Sequence, residues 1–268
     1  MPRPWKATVG AVGVTVCVVA GMAGCSSDDG KKSGASASAS STSEDNGVAD
    51  KDAKEISDAA QSALLGAKSV RLRMTGPSEP NSNDPTALDV RIDRDGNCKG
   101  SIKFQPGKGN VDLIKQGDKV WFKGDDAFWK AQAGPQGAAV AELMRGKYVT
   151  GATSQDELKD MAEFCDLSNL QKQIKSDDGD VKDLKKGART DADGQKAIVL
   201  TGKDDDGHAQ TMYVATVGTP YPLKIVSEDD GGNEIASFSE FDKPVPSSTP
   251  GTEETIDYSK FEQQIQRA

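Results

Sequence analysis

Apolar side chains recur at every second position in a series of short segments, and that alternation limits the chain to antiparallel sheet with one wet face. Val70, Leu72 and Met74 are separated by Arg71 and Arg73, and Leu88, Val90 and Ile92 by Asp89 and Arg91. Asp95-Gly96-Asn97 reads as a hairpin turn into Cys98–Phe104. Pro106–Asn110 turns again into Val111–Ile114, and Gly117-Asp118 into Lys119–Lys123. Gly124-Asp125-Asp126 then leads to Phe128-Trp129-Lys130, expected as a further strand. From residue 187 strands resume over 197–200, 211–215, 223–226 and 235–238, each behind a turn rich in Asp, Gly or Pro. Strands this close and regular predict an antiparallel meander.

A different period brackets and interrupts them. Ile56, Ala59, Ala60, Ala63 and Leu64 fall on one helical face within residues 52–68. Val140, Leu143 and Met144 share a face in 135–145. Ser154…Glu157 has the form of a capping box, opening a helix whose Leu158, Met161, Ala162 and Cys165 form one stripe. Ser168 is expected to cap a further turn carrying Leu170 and Ile174. Pro244, Pro246 and Pro250 mark an extended exit, and residues 258–265 a short helix. The order is helix, strands, helical insert, strands, an α+β class with one curved sheet.

The first 25 residues set the compartment. Arg3 and Lys6 precede an apolar run from Ala7 to Ala20 and the small residues of Met22-Ala23-Gly24-Cys25, the pattern of a secretory signal. That ending resembles the lipobox of bacterial lipoproteins, which implies a diacylglycerol on the Cys25 thiol and cleavage just before it; a plain signal peptide is the alternative. Two acyl chains give lasting attachment where one would not. The expected organisation is a signal over 1–24, lipidated Cys25 and a flexible Ser/Ala/Gly-rich tether over 25–51, and a single domain over 52–268. It places the protein on the extracytoplasmic face of the cell membrane, held there by lipid.

Charge and cysteine usage agree with that placement. A formal net charge of −9 argues against nucleic acid, and the anchor rather than headgroup attraction must hold the chain to the membrane. Cys98 and Cys165 remain once Cys17 leaves with the signal and Cys25 carries lipid. In an oxidising space they are expected to form a disulfide. Zinc is disfavoured because the single histidine, His208, stands alone in an Asp-Gly turn. A redox pair is usually close in sequence, as in C-x-x-C.

Little in the chain suggests catalysis. It has no G-x-S-x-G, no H-E-x-x-H and no P-loop, so neither an enzyme nor a cofactor is expected. Asp204-Asp205-Asp206 and Asp191–Gly194 look like openings of calcium loops but lack the later ligands; they read as solvated turns, and no metal site is expected. Trp121, Phe122, Phe128 and Trp129 read as core and hairpin packing.

The lipobox, the meander and the segment Met212-Tyr213-Val214-Ala215…Pro220-Tyr221-Pro222-Leu223-Lys224-Ile225 together resemble the LolA-like lipoproteins, in particular their actinobacterial LppX/LprG-type branch, over residues 52–245. The resemblance implies a strongly curved antiparallel half-barrel with helices packed on its concave face, and between them an apolar cavity for acyl chains of lipids or lipoglycans. The inward strand positions Leu72, Met74, Leu88, Val90, Ile92, Ile102, Phe104, Val111, Leu113 and Val120 would line it. So would Val140, Leu143, Met144, Leu158 and Met161 from the helices. The same alternation serves a dry-cored surface module that binds an envelope protein, and a filled core and a lined cavity need the same residues. Met74, Met144, Met161 and Met212, adaptable side chains, favour a variable apolar guest.

Overall fold

A computed structural model describes residues 44–78, 84–176, 181–204, 206–229 and 231–265. The signal segment, Cys25 and the tether as far as residue 43 lie outside the described residues. The described residues form twelve strands: β1 (Ser69–Thr75), β2 (Ala87–Asp93), β3 (Cys98–Lys103), β4 (Asn110–Gln116), β5 (Lys119–Gly124), β6 (Tyr148–Ala152), β7 (Lys182–Ala192), β8 (Gln195–Lys203), β9 (Ala209–Ala215), β10 (Pro222–Asp229), β11 (Gly232–Ser239) and β12 (Thr255–Asp257). Six helices accompany them: α1 (Ala53–Gly66), α2 (Asp126–Gln132), α3 (Gly137–Met144), α4 (Asp156–Glu163), α5 (Leu167–Ser176) and α6 (Tyr258–Ile265).

The strands make one curved, unclosed sheet in the order β12-β6-β5-β4-β3-β2-β1-β11-β10-β9-β8-β7. Two meanders, one from each half of the chain, meet where β1 pairs β11, with Leu72 opposite Phe238 and Met74 opposite Ala236. Ten of the pairings are antiparallel, but β12 runs parallel to β6, so the sheet is mixed rather than wholly antiparallel. The parallel pair is possible because the chain after β11 first crosses the molecule. Lys68 N and Tyr221 Oη donate to Asp242, at 2.7 and 2.8 Å, and Ser69 Oγ to Lys243 O at 2.6 Å. Tyr221 stacks on Phe241 at 3.7 Å. Lys99 Nζ then holds Ser248 Oγ at 2.8 Å, and the chain ends in β12 and α6.

Several local expectations are corrected. Phe128-Trp129-Lys130 is helical, not a strand, because Asp125 Oδ1 accepts from Phe128 N at 2.8 Å and caps α2. The turn is obligatory: a Cβ on Gly124 would collide with the Phe128 ring. The helical block contains a strand, β6, whose five residues pair with β5. Gln155, not Ser154, is the N-cap of α4, and its side chain accepts from Ala152 N at 3.0 Å instead of capping the helix. Asp166, not Ser168, starts α5, taking a hydrogen bond from Asn169 N at 3.1 Å. β7 begins five residues ahead of where strand resumes in the sequence reading; most of its residues are exposed, with Leu184 and Thr190 half-buried and Ala192 buried, and they carry no apolar alternation. The folded part also begins sooner than the composition implies, within the segment expected as a tether. Asn46 N donates to Thr216 O at 2.8 Å, and Val48 and Ala49 are buried against β8 and β9.

The helices cover the concave face at its two ends. A reciprocal box between Asp52 and Glu55 starts α1; its Ile56 and Ala60 pack on Ile198, Leu200 and Val214. Gln171 Nε2 of α5 donates to Leu64 O and Ala67 O, at 3.0 and 3.2 Å, satisfying carbonyls left at the end of α1. On the convex face, Arg71 holds Asp89 at 2.7 Å and Glu240 at 3.2 Å, and Arg91 holds Glu240 at 2.6 Å. The guanidiniums lie outward as the alternation requires.

Cys98 opens β3 and Cys165 sits just beyond α4, in the turn before α5 rather than within a helix. Their Cα atoms are 5.3 Å apart and the sulfurs are bonded, pinning helix to sheet. With a sequence separation of 67, the bridge contributes about 4 kcal/mol by restricting the unfolded chain. Paired Cys98→Ser and Cys165→Ser substitutions are therefore expected to lower stability by about 2–4 kcal/mol, measured by urea unfolding. The convex network gives a pH prediction. The hydrogen bond from Arg71 lowers the pKa of Asp89, and that from Arg91 lowers the pKa of Glu240. Both carboxylates bind protons less readily folded than unfolded, so their stabilisation is complete above the ordinary carboxyl range and is lost as pH falls through it. The melting temperature should hold from about pH 7 to 5 and fall below about pH 4.5, with Glu240→Gln flattening that fall.

Candidate functional site: the concave apolar face

All fifteen residues named for the interior gather in one cluster. Leu72, Val90, Ile92, Ile102, Phe104, Val111, Leu113, Val120, Val140, Met144 and Leu158 are buried, and Met74, Leu88, Leu143 and Met161 are half-buried against them. They are not equivalent. Val90, Ile102, Val111, Leu113, Val120 and Met144 expose 0% of their surface, so no space large enough for a water lies against them. That part of the interior is packed.

The accessible part is a seam. Residues directly opposite across an antiparallel pair share a face, so the register traces one row over the concave side. It runs Ile102, Leu88, Met74, Ala236, Ile225, Met212, Leu200 across β3, β2, β1, β11, β10, β9 and β8. Its ends are closed, Ile102 at 0% and Leu200 at 1% exposure. The five between them, all apolar, are half-buried. The seam lies between the cluster under α2–α4 and a second one under α1, and Leu143, Met161, Phe164 and Leu170 of the helical layer are half-buried too. At about 4.8 Å per strand it is about 19 Å wide.

Ala236, Ile225 and Met212 were outside the sequence-derived lining. The alternation around Met212 and Ile225 was visible, but only the β1–β11 register, between strands far apart in sequence, joins them to Met74. The other addition is an aromatic box at the far end of the packed cluster. Trp129 lies 5.8 Å from Phe122, 5.1 Å from Phe128 and 5.3 Å from Phe261 of α6. Phe128, Trp129 and Phe122 were expected as packing residues, which they are, and Phe261 joins them from the chain's last helix. Burying Phe261 contributes about 1.5–3 kcal/mol.

Other features are already satisfied internally. A surface hollow of about 290 Å³ beside the N-terminal segment is lined by Asp45, Arg189, Lys196 and Thr216. Arg189 there is paired with Asp45 and Asp50, and the hydrogen bond lowers the Asp45 pKa. Asp204 closes its own turn, accepting from His208 N at 2.8 Å with Oδ2 3.3 Å from Nδ1. Among the described residues no three His, Cys, Asp or Glu side chains come together to hold a metal ion.

No family model matches the chain, and no curated protein matches it. Solved structures do. LprF from Mycobacterium bovis, 15% identical, aligns over 74% of this chain and 97% of its own length with a TM-score of 0.53. The fold is that of the LolA-like lipoproteins. Lower-scoring superpositions include the lipoprotein LppX from Mycobacterium tuberculosis, 15% identical over 73% of this chain and 98% of its own, TM-score 0.49. Another is the LolA superfamily protein NE2245 from Nitrosomonas europaea, 12% identical over 77% and 98%, TM-score 0.26. At such identities the likeness is one of LolA-like architecture alone.

The contrast between packed cluster and seam is measurable. Leu113→Ala should cost about 2–5 kcal/mol, while Met74→Ala in the seam should cost less than about 1.5 kcal/mol, both read by urea unfolding.

Proposed function

We propose that the chain binds acyl chains of a lipid or lipoglycan along the seam, for transport or presentation in the cell envelope. The observation that carries this is the unbroken run of five half-buried apolar residues, Leu88, Met74, Ala236, Ile225 and Met212, on the concave side of a LolA-like sheet. A closed core leaves no such run, and a solvated face does not consist of apolar side chains. Each methylene buried there contributes about 0.8 kcal/mol, so a single long chain offsets the cost of association with no covalent chemistry. Two of the five residues are methionines, which adjust to guests of different shape.

The remaining parts of the proposal follow from the N-terminus. Cys25 takes the acyl anchor, and the segment that follows it reaches the domain at Asp45–Lys51, beside β9 and the turn after it. The domain then works on the extracytoplasmic side of the membrane, drawing its ligand from or delivering it to the same envelope.

The test uses the full chain with Cys25→Ser, which removes the acylation point. Native mass spectrometry is expected to show a non-covalently bound lipid, and the delipidated protein to take up cis-parinaric acid with a rise in fluorescence. Ala236→Trp, which fills the middle of the seam, should weaken that uptake at least about tenfold with the melting temperature little changed. A folded protein with neither lipid nor probe uptake overturns the proposal and leaves a surface that recognises an envelope protein.

A further inference from the structure

The geometry points to Trp129 as the polar contact of the bound acyl ligand, at a place now filled by Phe261 of α6; this rests on the lipid-binding reading above. Trp129 is 5% exposed, and its indole Nε1 is buried without a hydrogen-bond partner among the described residues. Buried indole donors ordinarily find an acceptor. The rings of Phe122, Phe128 and Phe261 stand against the indole, and a π face is at most a weak acceptor. An apolar box with one donor suits a chain that is apolar along its length and carries one acceptor, which is what a fatty acid carboxylate or an acyl ester carbonyl is.

The box lies on the same concave row as the seam, three strands beyond Leu88. The concave row continues beyond Leu88 through Ile102 and Val111 to Gly124. Gly124 is where the Phe128 ring lies on the sheet, and Phe128 meets Trp129 edge-on. Ile102 and Val111 on that row are packed, so a chain whose middle lies in the seam brings its head to the indole only as that stretch repacks.

Phe261 occupies the position that the head would take. It belongs to an eight-residue helix near the end of the chain, reached through a segment with Pro244, Pro246 and Pro250. Among the described side chains of α6, Phe261 alone is buried. The helix brings the Phe261 ring into the core with Tyr258 half-buried beside it at 6.3 Å, and the indole N–H stays unpartnered among the described residues. It acts as a displaceable plug: an acyl head replaces the ring, and the Trp129 N–H donates to the ligand's carbonyl oxygen. β12, held by its pairing to β6, retains the chain while α6 lifts.

Free fatty acid and esterified membrane lipid share this chemistry, so three probes separate them: cis-parinaric acid, its methyl ester, and diphenylhexatriene, a hydrocarbon with no acceptor. All are titrated into the full chain with Cys25→Ser. Trp129→Phe keeps the ring and removes the donor. It should weaken the acid, or the acid and the ester, about tenfold or more while leaving the hydrocarbon unchanged. An effect on the acid alone assigns free fatty acid; an effect on both assigns acyl lipid. Phe261→Ala should bind all three more tightly. Hydrogen exchange of the unsubstituted domain, which does not depend on that variant folding, should show residues 258–265 exchanging faster once probe is bound, with β6 unchanged. The inference is overturned if Trp129→Phe affects the three probes alike or not at all, or if α6 is equally or better protected in the complex. Should the protein bind none of the probes, before or after Phe261→Ala, it is the lipid-binding reading itself that fails.

Discussion

The pairing of β1 with β11 is the contact on which the rest of the molecule depends. Each half of the chain supplies a meander whose strands neighbour one another in sequence, and such local pairings close cheaply. Joining the halves requires Arg71 to meet Ser239 and Thr75 to meet Ile235, across most of the folded chain. Once made, that ladder turns two small sheets into one surface wide enough to curve around a helical layer. It also brings Met74 beside Ala236, so that the apolar row runs without interruption between the two clusters.

The junction is reinforced on its outer side. Arg71, Asp89, Arg91 and Glu240 draw on β1, β2 and the end of β11, and Asp242 ties the exit of β11 to Lys68 and Tyr221. These groups are partly solvated, so individually they contribute little. Their effect is to fix where the chain goes next. The C-terminal segment is directed across the molecule to β6, where β12 covers part of an edge and α6 closes the interior. The disulfide holds the helical insert over the same half of the sheet. The β1–β11 half of the interior has α1 and α5 but no such bond, and it is there that apolar side chains stay accessible.

The strands of the first meander were legible because alternation with one wet face survives in the sequence: Arg71 and Arg73 outward, Leu72 and Met74 inward. The first helix was legible from its periodicity. Failures share a cause. Phe128 and Trp129 are aromatic, which suggests strand, but an aspartate cap and the space over Gly124 decide for helix. β7 is an edge strand with most of its residues exposed, so burial imposed little pattern on it. Val48 and Ala49 are too few to mark a packed segment until β8 and β9 are there to bury them. The gathering of Leu72 through Met161 into one interior was legible, as alternation fixes the inward face.

By itself the sequence determined which strand residues face inward and where most strands turn, because these follow from local periodicity and turn chemistry. The tertiary structure alone decided that the two meanders join edge to edge, that Met74, Ala236, Ile225 and Met212 form one row, and that Phe261 returns to cover an indole N–H unpartnered among the described residues. Those facts depend on register between segments far apart in the chain. Alternation says which face a side chain occupies but not which strand lies beside it, so a packed interior and an accessible seam are written with the same pattern.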